Sequence, residues 1–124
     1  MLALTSTTRV FLAAGATDMR KSFNSLAAIV RTTLAHDPTC GHLFGFCNRR
    51  RDRIKILYWD GSGLWVCAKR LEKGTFAWPE SRAHSIELSR EELLLLVSGI
   101  DLSATHRRRW YRIDANRANA QHAY

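Results

Sequence analysis

Apolar and polar residues alternate in short blocks along this chain, and the blocks change period. Arg9-Val10-Phe11-Leu12-Ala13 is a β-prone run stopped near Gly15. After it, Met19, Phe23, Leu26, Ala27, Val30 and Leu34 recur on one helical stripe, with Lys21, Asn24, Ser25 and Arg31 mostly off it. The spacing predicts a helix from about Met19 to Ala35 with one buried face. Thr17 and Asp18 offer side-chain oxygens to its free N–H groups. Asp37-Pro38 and Gly41 stop it, because the residue before a proline is pushed out of the α region.

The middle of the chain changes to strand period. Leu43-Phe44-Gly45-Phe46-Cys47-Asn48 is aromatic and aliphatic, and Arg49-Arg50-Arg51-Asp52 is a charged turn. Arg53-Ile54-Lys55-Ile56 alternates basic and apolar, as a half-exposed strand does. Asp60-Gly61-Ser62-Gly63 turns the chain into Leu64 to Arg70. Two consecutive hairpins follow, an antiparallel β-meander. Ser85 to Leu88 reads as a last short strand. Ser89-Arg90-Glu91-Glu92 is a capping box ahead of the apolar Leu93 to Val97, and Gly99 is its stop.

The expected fold is a small α+β domain: an antiparallel meander packed with one amphipathic helix and a short C-terminal helix. The domain covers residues 1–102. Residues 103–124, which include Arg107-Arg108-Arg109-Trp110-Tyr111-Arg112, lack a hydrophobic period and read as a basic, mobile tail. No second domain fits in 124 residues.

Charge changes this picture. The formal net charge is +8, which favours an anionic partner. The cations sit among aromatics. Arg49, Arg50, Arg51, Arg53 and Lys55 surround the first hairpin turn, and Lys69, Arg70 and Lys73 follow the second. Cations neutralise phosphates and release counterions, so these eight residues form the candidate nucleic-acid site. Trp59 and Trp65 are read as core, because large rings dominate cores.

Catalytic patterns are missing. The carboxylates are thinly spread, Asp18, Asp60 and Glu92 have local capping and turn roles, and no sequence motif brings the others onto a metal pair. There is no G-x-S-x-G elbow and no phosphate-binding loop that opens a helix. The three cysteines form no C-x-x-C, and Cys40 with His42 lacks a second ligand pair, so neither metal nor organic cofactor is expected. No apolar run approaches the ~20 residues of a membrane span, and no signal peptide is visible, so a cytoplasmic location is expected.

Four segments occur in order: Asp18-Met19-Arg20-Lys21; Gly41-His42-Leu43-Phe44; Ile54 through Gly63; and Lys69 through Pro79. With them the chain resembles the second-reading-frame accessory proteins, called TnpB, of insertion-sequence-sixty-six elements, from about Val10 to Asp101. It does not resemble the larger RNA-guided nuclease that shares that name. The resemblance implies a non-catalytic protein encoded beside a separate transposase and required for transposition. DNA at the element ends and the transposase are the expected partners. The rival reading is a module that binds the transposase without touching DNA, using the Leu93 to Val97 helix and exposed aromatics as its interface.

Overall fold

The computed structural model describes residues 7–99 together with residues 112–113. Strand β1 (Val10–Ala16) is followed by helix α1 (Phe23–Thr32), then β2 (Leu43–Cys47), β3 (Arg53–Trp59) and β4 (Leu64–Arg70). After a long irregular segment come β5 (Ser85–Leu88), α2 (Arg90–Val97) and the two-residue β6 (Arg112–Ile113). The strands form one mixed sheet in the order β4-β3-β2-β1-β5-β6. The expected meander is β2-β3-β4, antiparallel throughout. Beside it, β1 runs parallel to β2 through the α1 crossover and antiparallel to β5. The proposed tail lies outside the described residues, except that Arg112–Ile113 pair with β5.

Each face of the sheet carries its own core. Phe11, Ala13, Phe44, Phe46 and Leu57 pack with Leu26, Ala27, Val30 and Leu34 of α1. On the opposite face, Val10, Leu12, Leu43, Ile54, Ile56, Ile86 and Leu88 pack with Leu93 and Leu96 of α2 and with Phe76 and Trp78. Strand β2 is buried at every residue because it is covered on both faces, which explains its unbroken apolar run. At Gly45 a Cβ would lie 2.6 Å from Leu12 Cδ2 and 3.6 Å from the Trp78 ring. Glycine at that position leaves room for the Leu12 side chain of the neighbouring strand, with the Trp78 ring in ordinary contact beyond it. Trp78 is anchored there by its indole N–H, which donates to the Ala13 carbonyl at 2.9 Å.

Two expectations are corrected. The first helix starts at Phe23, not Met19. The Asp18 carboxylate is taken by its own turn, accepting from the Arg20 backbone N–H at 2.9 Å and from the Arg20 guanidinium. Ser22 is the N-cap instead, and its N–H donates to Ser25 Oγ at 3.0 Å. The second correction concerns the tryptophans. Trp65 is 44% exposed on the outer strand β4, with its indole N–H on Asp60 Oδ2 at 2.8 Å, and Trp59 is half-buried. The core tryptophan is Trp78. The α2 start is as read: Ser89 Oγ accepts from the Glu92 N–H, and Glu92 Oε1 accepts from the Ser89 N–H.

Candidate nucleic-acid interface

The β2–β3 turn is built by Asn48. Its Oδ1 accepts from the N–H groups of Asp52 and Arg53 at 3.1 and 3.0 Å, and its Nδ2 donates to Asp52 Oδ1 at 2.7 Å. Asn48 O also receives the Arg51 N–H, and Arg51 takes a left-handed backbone (φ 64°) to close the turn. This geometry fixes where each cation goes. Arg49 and Arg50 sit exposed at the tip. Arg51 is half-buried, and its Nη1 is enclosed by protein with no hydrogen-bond partner among the described residues.

Strand alternation sorts the rest. Arg53 and Lys55 share the α1 face with the buried Leu57, and Arg70 lies directly across from Arg53 in the β3–β4 register. Lys69 points to the other face, where its Nζ donates to the Val97 carbonyl at the C-terminal end of α2 at 2.8 Å. Lys55 Nζ reaches across to the Lys21 carbonyl at 2.8 Å.

The result is an open cleft of about 610 Å³ in which Arg49, Arg50, Arg53 and Arg70 meet Thr17, Asp18, Met19, Asn48 and Asp52. A second cleft of about 570 Å³ shares Met19, Arg53 and Arg70 with it and extends past Lys55, Lys69 and Glu72. Lys73 is exposed on the segment after β4 and borders neither cleft. So the structure gathers Arg49, Arg50, Arg53, Arg70 and Lys55, turns Arg51 and the Lys69 ammonium elsewhere, and leaves Lys73 apart.

The acids in the first cleft are already engaged. The Arg20 guanidinium on Asp18 holds that carboxyl well below the usual carboxylate range. The Asn48 amide on Asp52 likewise favours its ionised form. Arg70 has a long contact to Glu72 at 3.3 Å, both side chains largely exposed. Arg49, Arg50 and Arg53 make no side-chain ion pair among the described residues. Like charges directly opposite on neighbouring strands destabilise a sheet, so the Arg53–Arg70 pair works against folding. Thr17, Asp18, Met19 and Asn48 were not among the sequence candidates. Only Asn48, an Asx residue ahead of a charged turn, carried a signal for its position.

Neither cleft is lined by an aromatic ring. Among the described residues, no group of three or more His, Cys, Asp or Glu side chains is placed to hold a metal ion, and no helix is long and apolar enough to cross a membrane.

Comparison with known proteins identifies relatives. The family model described as IS66 Orf2 like protein matches residues 8–107. The uncharacterized protein y4jC of Sinorhizobium fredii is 39% identical over 100 residues, covering 81% of this chain and 86% of that one. The uncharacterized protein y4hO of the same organism is 42% identical over 93 residues, covering 75% of this chain and 81% of that one. No solved structure matches. The chain belongs to the IS66 Orf2-like (TnpB) family, which associates it with insertion-sequence transposition as an accessory protein rather than with a known catalytic family.

Proposed function

We propose that this protein serves transposition by gripping the sugar–phosphate backbone of DNA in the arginine cleft, without catalysing strand chemistry itself. The observation that carries this reading is the convergence of Arg49, Arg50, Arg53 and Arg70 on one open cleft, two of them opposed across a ladder at a cost to stability. Planar guanidinium groups suit bidentate contact with phosphate. With no ring in the cleft to stack on bases, the contact is to backbone and largely independent of sequence. Lys55 and the overall net charge of +8 add a general attraction for DNA.

The test is fluorescence anisotropy with duplex element-end DNA across a salt series. Replacing Arg49 and Arg50 by alanine should weaken binding to all duplex sequences alike. It should also reduce the slope of log affinity on log salt by ~0.9 for each lost phosphate contact. An unchanged slope removes the turn from the interface. A second reading, docking onto the transposase, is favoured by one observation: Leu94 of α2 is 56% exposed and Trp65 is 44% exposed. Capture of the protein by immobilised transposase, abolished by Leu94→Ser and retained by the double arginine variant, would support that reading.

A further inference from the structure

Among the described residues, no strand lies beside the outer edge of β4. That edge is only weakly guarded against pairing. It is seven residues long, contains no proline, and pairs with β3 residue for residue with no bulge. Its cations, Lys69 and Arg70, are confined to one end.

Hydrogen bonds beside the ladder reveal which backbone groups point outward. The Leu71 N–H donates to the Asp52 carbonyl at 2.8 Å and the Asp60 N–H to the Gly63 carbonyl at 3.1 Å. Hydrogen-bonded and non-hydrogen-bonded pairs alternate in an antiparallel ladder. With the β3–β4 register, Trp65, Cys67 and Lys69 therefore bond inward to β3. The N–H and C=O groups of Leu64, Val66, Ala68 and Arg70 face out.

We infer that β4 pairs antiparallel with β4 of a second copy, about a two-fold axis at Cys67, to continue the sheet across a homodimer. This register overlaps the whole strand and sets Leu64 against Arg70 and Val66 against Ala68 as hydrogen-bonded pairs. Every outward backbone group then meets its complement. A slip of one residue sets outward-facing groups against inward-facing ones, and a slip of two shortens the overlap.

The side chains agree with the backbone. In the full register Lys69 faces Trp65 of the other copy, and Arg70 faces Leu64, so no cation opposes a cation despite the net charge of +8. The alkyl stem of Lys69, whose ammonium is held by the Val97 carbonyl, faces the exposed Trp65 indole of the other copy and covers it. Cross-strand neighbours share a face, so the α1 faces of the two copies, with their arginine clefts, lie on the same side of the joined sheet. The dimer is inferred from the edge alone and does not depend on DNA binding.

Cys67 supplies the readout. Non-hydrogen-bonded antiparallel neighbours have Cα atoms about 4.5 Å apart, inside the range a disulfide spans. Analytical ultracentrifugation of the full chain should give a dimer mass. Mild oxidation with copper-phenanthroline should give a covalent dimer that is lost in Cys67→Ser and kept in Cys40→Ser. Ala68→Pro deletes an outward N–H without touching the β3 ladder, and Trp65→Lys opposes two ammonium groups. Each should raise the dimer dissociation constant at least tenfold. Circular dichroism identifies a variant that has lost its fold, and the other variant then decides. A monomer mass at every concentration overturns the inference. So does a dimer that a folded Ala68→Pro or a folded Trp65→Lys leaves unweakened, or one whose crosslink depends on Cys40.

Discussion

Reversing the charge of Arg70 should weaken DNA binding while leaving the fold about as stable or more so. Arg53 and Arg70 are direct cross-strand partners. A like-charged pair in that position costs roughly 0.2–1 kcal/mol, and an opposite pair returns a similar amount. Arg70→Glu therefore shifts the ladder by roughly 0.4–2 kcal/mol in favour of folding. Against this stands the Arg70–Glu72 contact at 3.3 Å, whose side chains are 58% and 80% exposed. Pairs so exposed contribute about 0–1 kcal/mol. The net change lies between a loss of about 0.6 and a gain of about 2 kcal/mol, and in a domain of this size 1 kcal/mol moves the melting temperature by about 4–8 °C. For DNA, one lost duplex phosphate contact removes ~0.9 from the salt slope, which at 0.1 M salt is about eightfold in affinity. A carboxylate placed among phosphates adds repulsion, so eightfold is the smallest expected loss. Calorimetry and anisotropy on the same preparation measure both quantities. A melting temperature lowered by more than about 5 °C would refute the repulsion argument. Unaltered affinity and salt slope would take Arg70 out of the interface.

Gly45→Ala should destabilise by about 1–3 kcal/mol, because the new methyl lands 2.6 Å from Leu12 Cδ2; a chemical denaturation midpoint measures it. Trp78→Ala should cost about 3–5 kcal/mol in the same assay, whereas Trp65→Ala, at a position already 44% exposed, should cost far less. Asp60 is held well below the usual carboxylate range, first by the Ser62 backbone N–H and then by the Trp65 indole and the Gly63 N–H. Its depressed value contributes stability that is fully present above the ordinary 3.8 and is lost as pH falls below it, so Asp60→Asn should flatten the acid limb of a stability–pH profile.

The meander was legible because its turns announce themselves. Asp60 to Gly63 and the Arg49 to Asp52 run leave little freedom in where strands end. What periodicity does not carry is which strand lies beside which. The parallel β1–β2 pair depends on α1 folding back over the sheet, and only the continuous burial of Leu43–Cys47 hinted at a central strand. Trp78 sits in a segment with no period at all, so its role in the core left no pattern to read. Trp65 follows the strand period but lies at the sheet margin, where the same alternation exposes it. At the candidate site, the charge run located Arg49, Arg50 and Arg53, and the hairpin register brought Arg70 to them. Residues 69 and 70 are neighbours in sequence but project from opposite faces, so a cluster read as one patch divides. Arg51 left the group because turn closure requires its left-handed backbone, a conformation seldom anticipated outside glycine.

The position of β1 also orders events during synthesis. Among the described strands, the earliest in the chain, β1, stands inside the sheet between β2 and β5, and its Val10–Ala13 stretch meets Leu88–Ser85 only after most of the described chain has been translated. Until then one ladder edge of β1 stays open, with Phe11 and Leu12 on either side of it. Pairing between segments so distant in sequence is slow compared with hairpin closure. The nascent protein thus passes through a stage in which the β2-β3-β4 hairpins are complete while β1 awaits its second neighbour. A ribosome stalled before Ser85 would hold a chain with an adhesive interior edge, a natural target for chaperones.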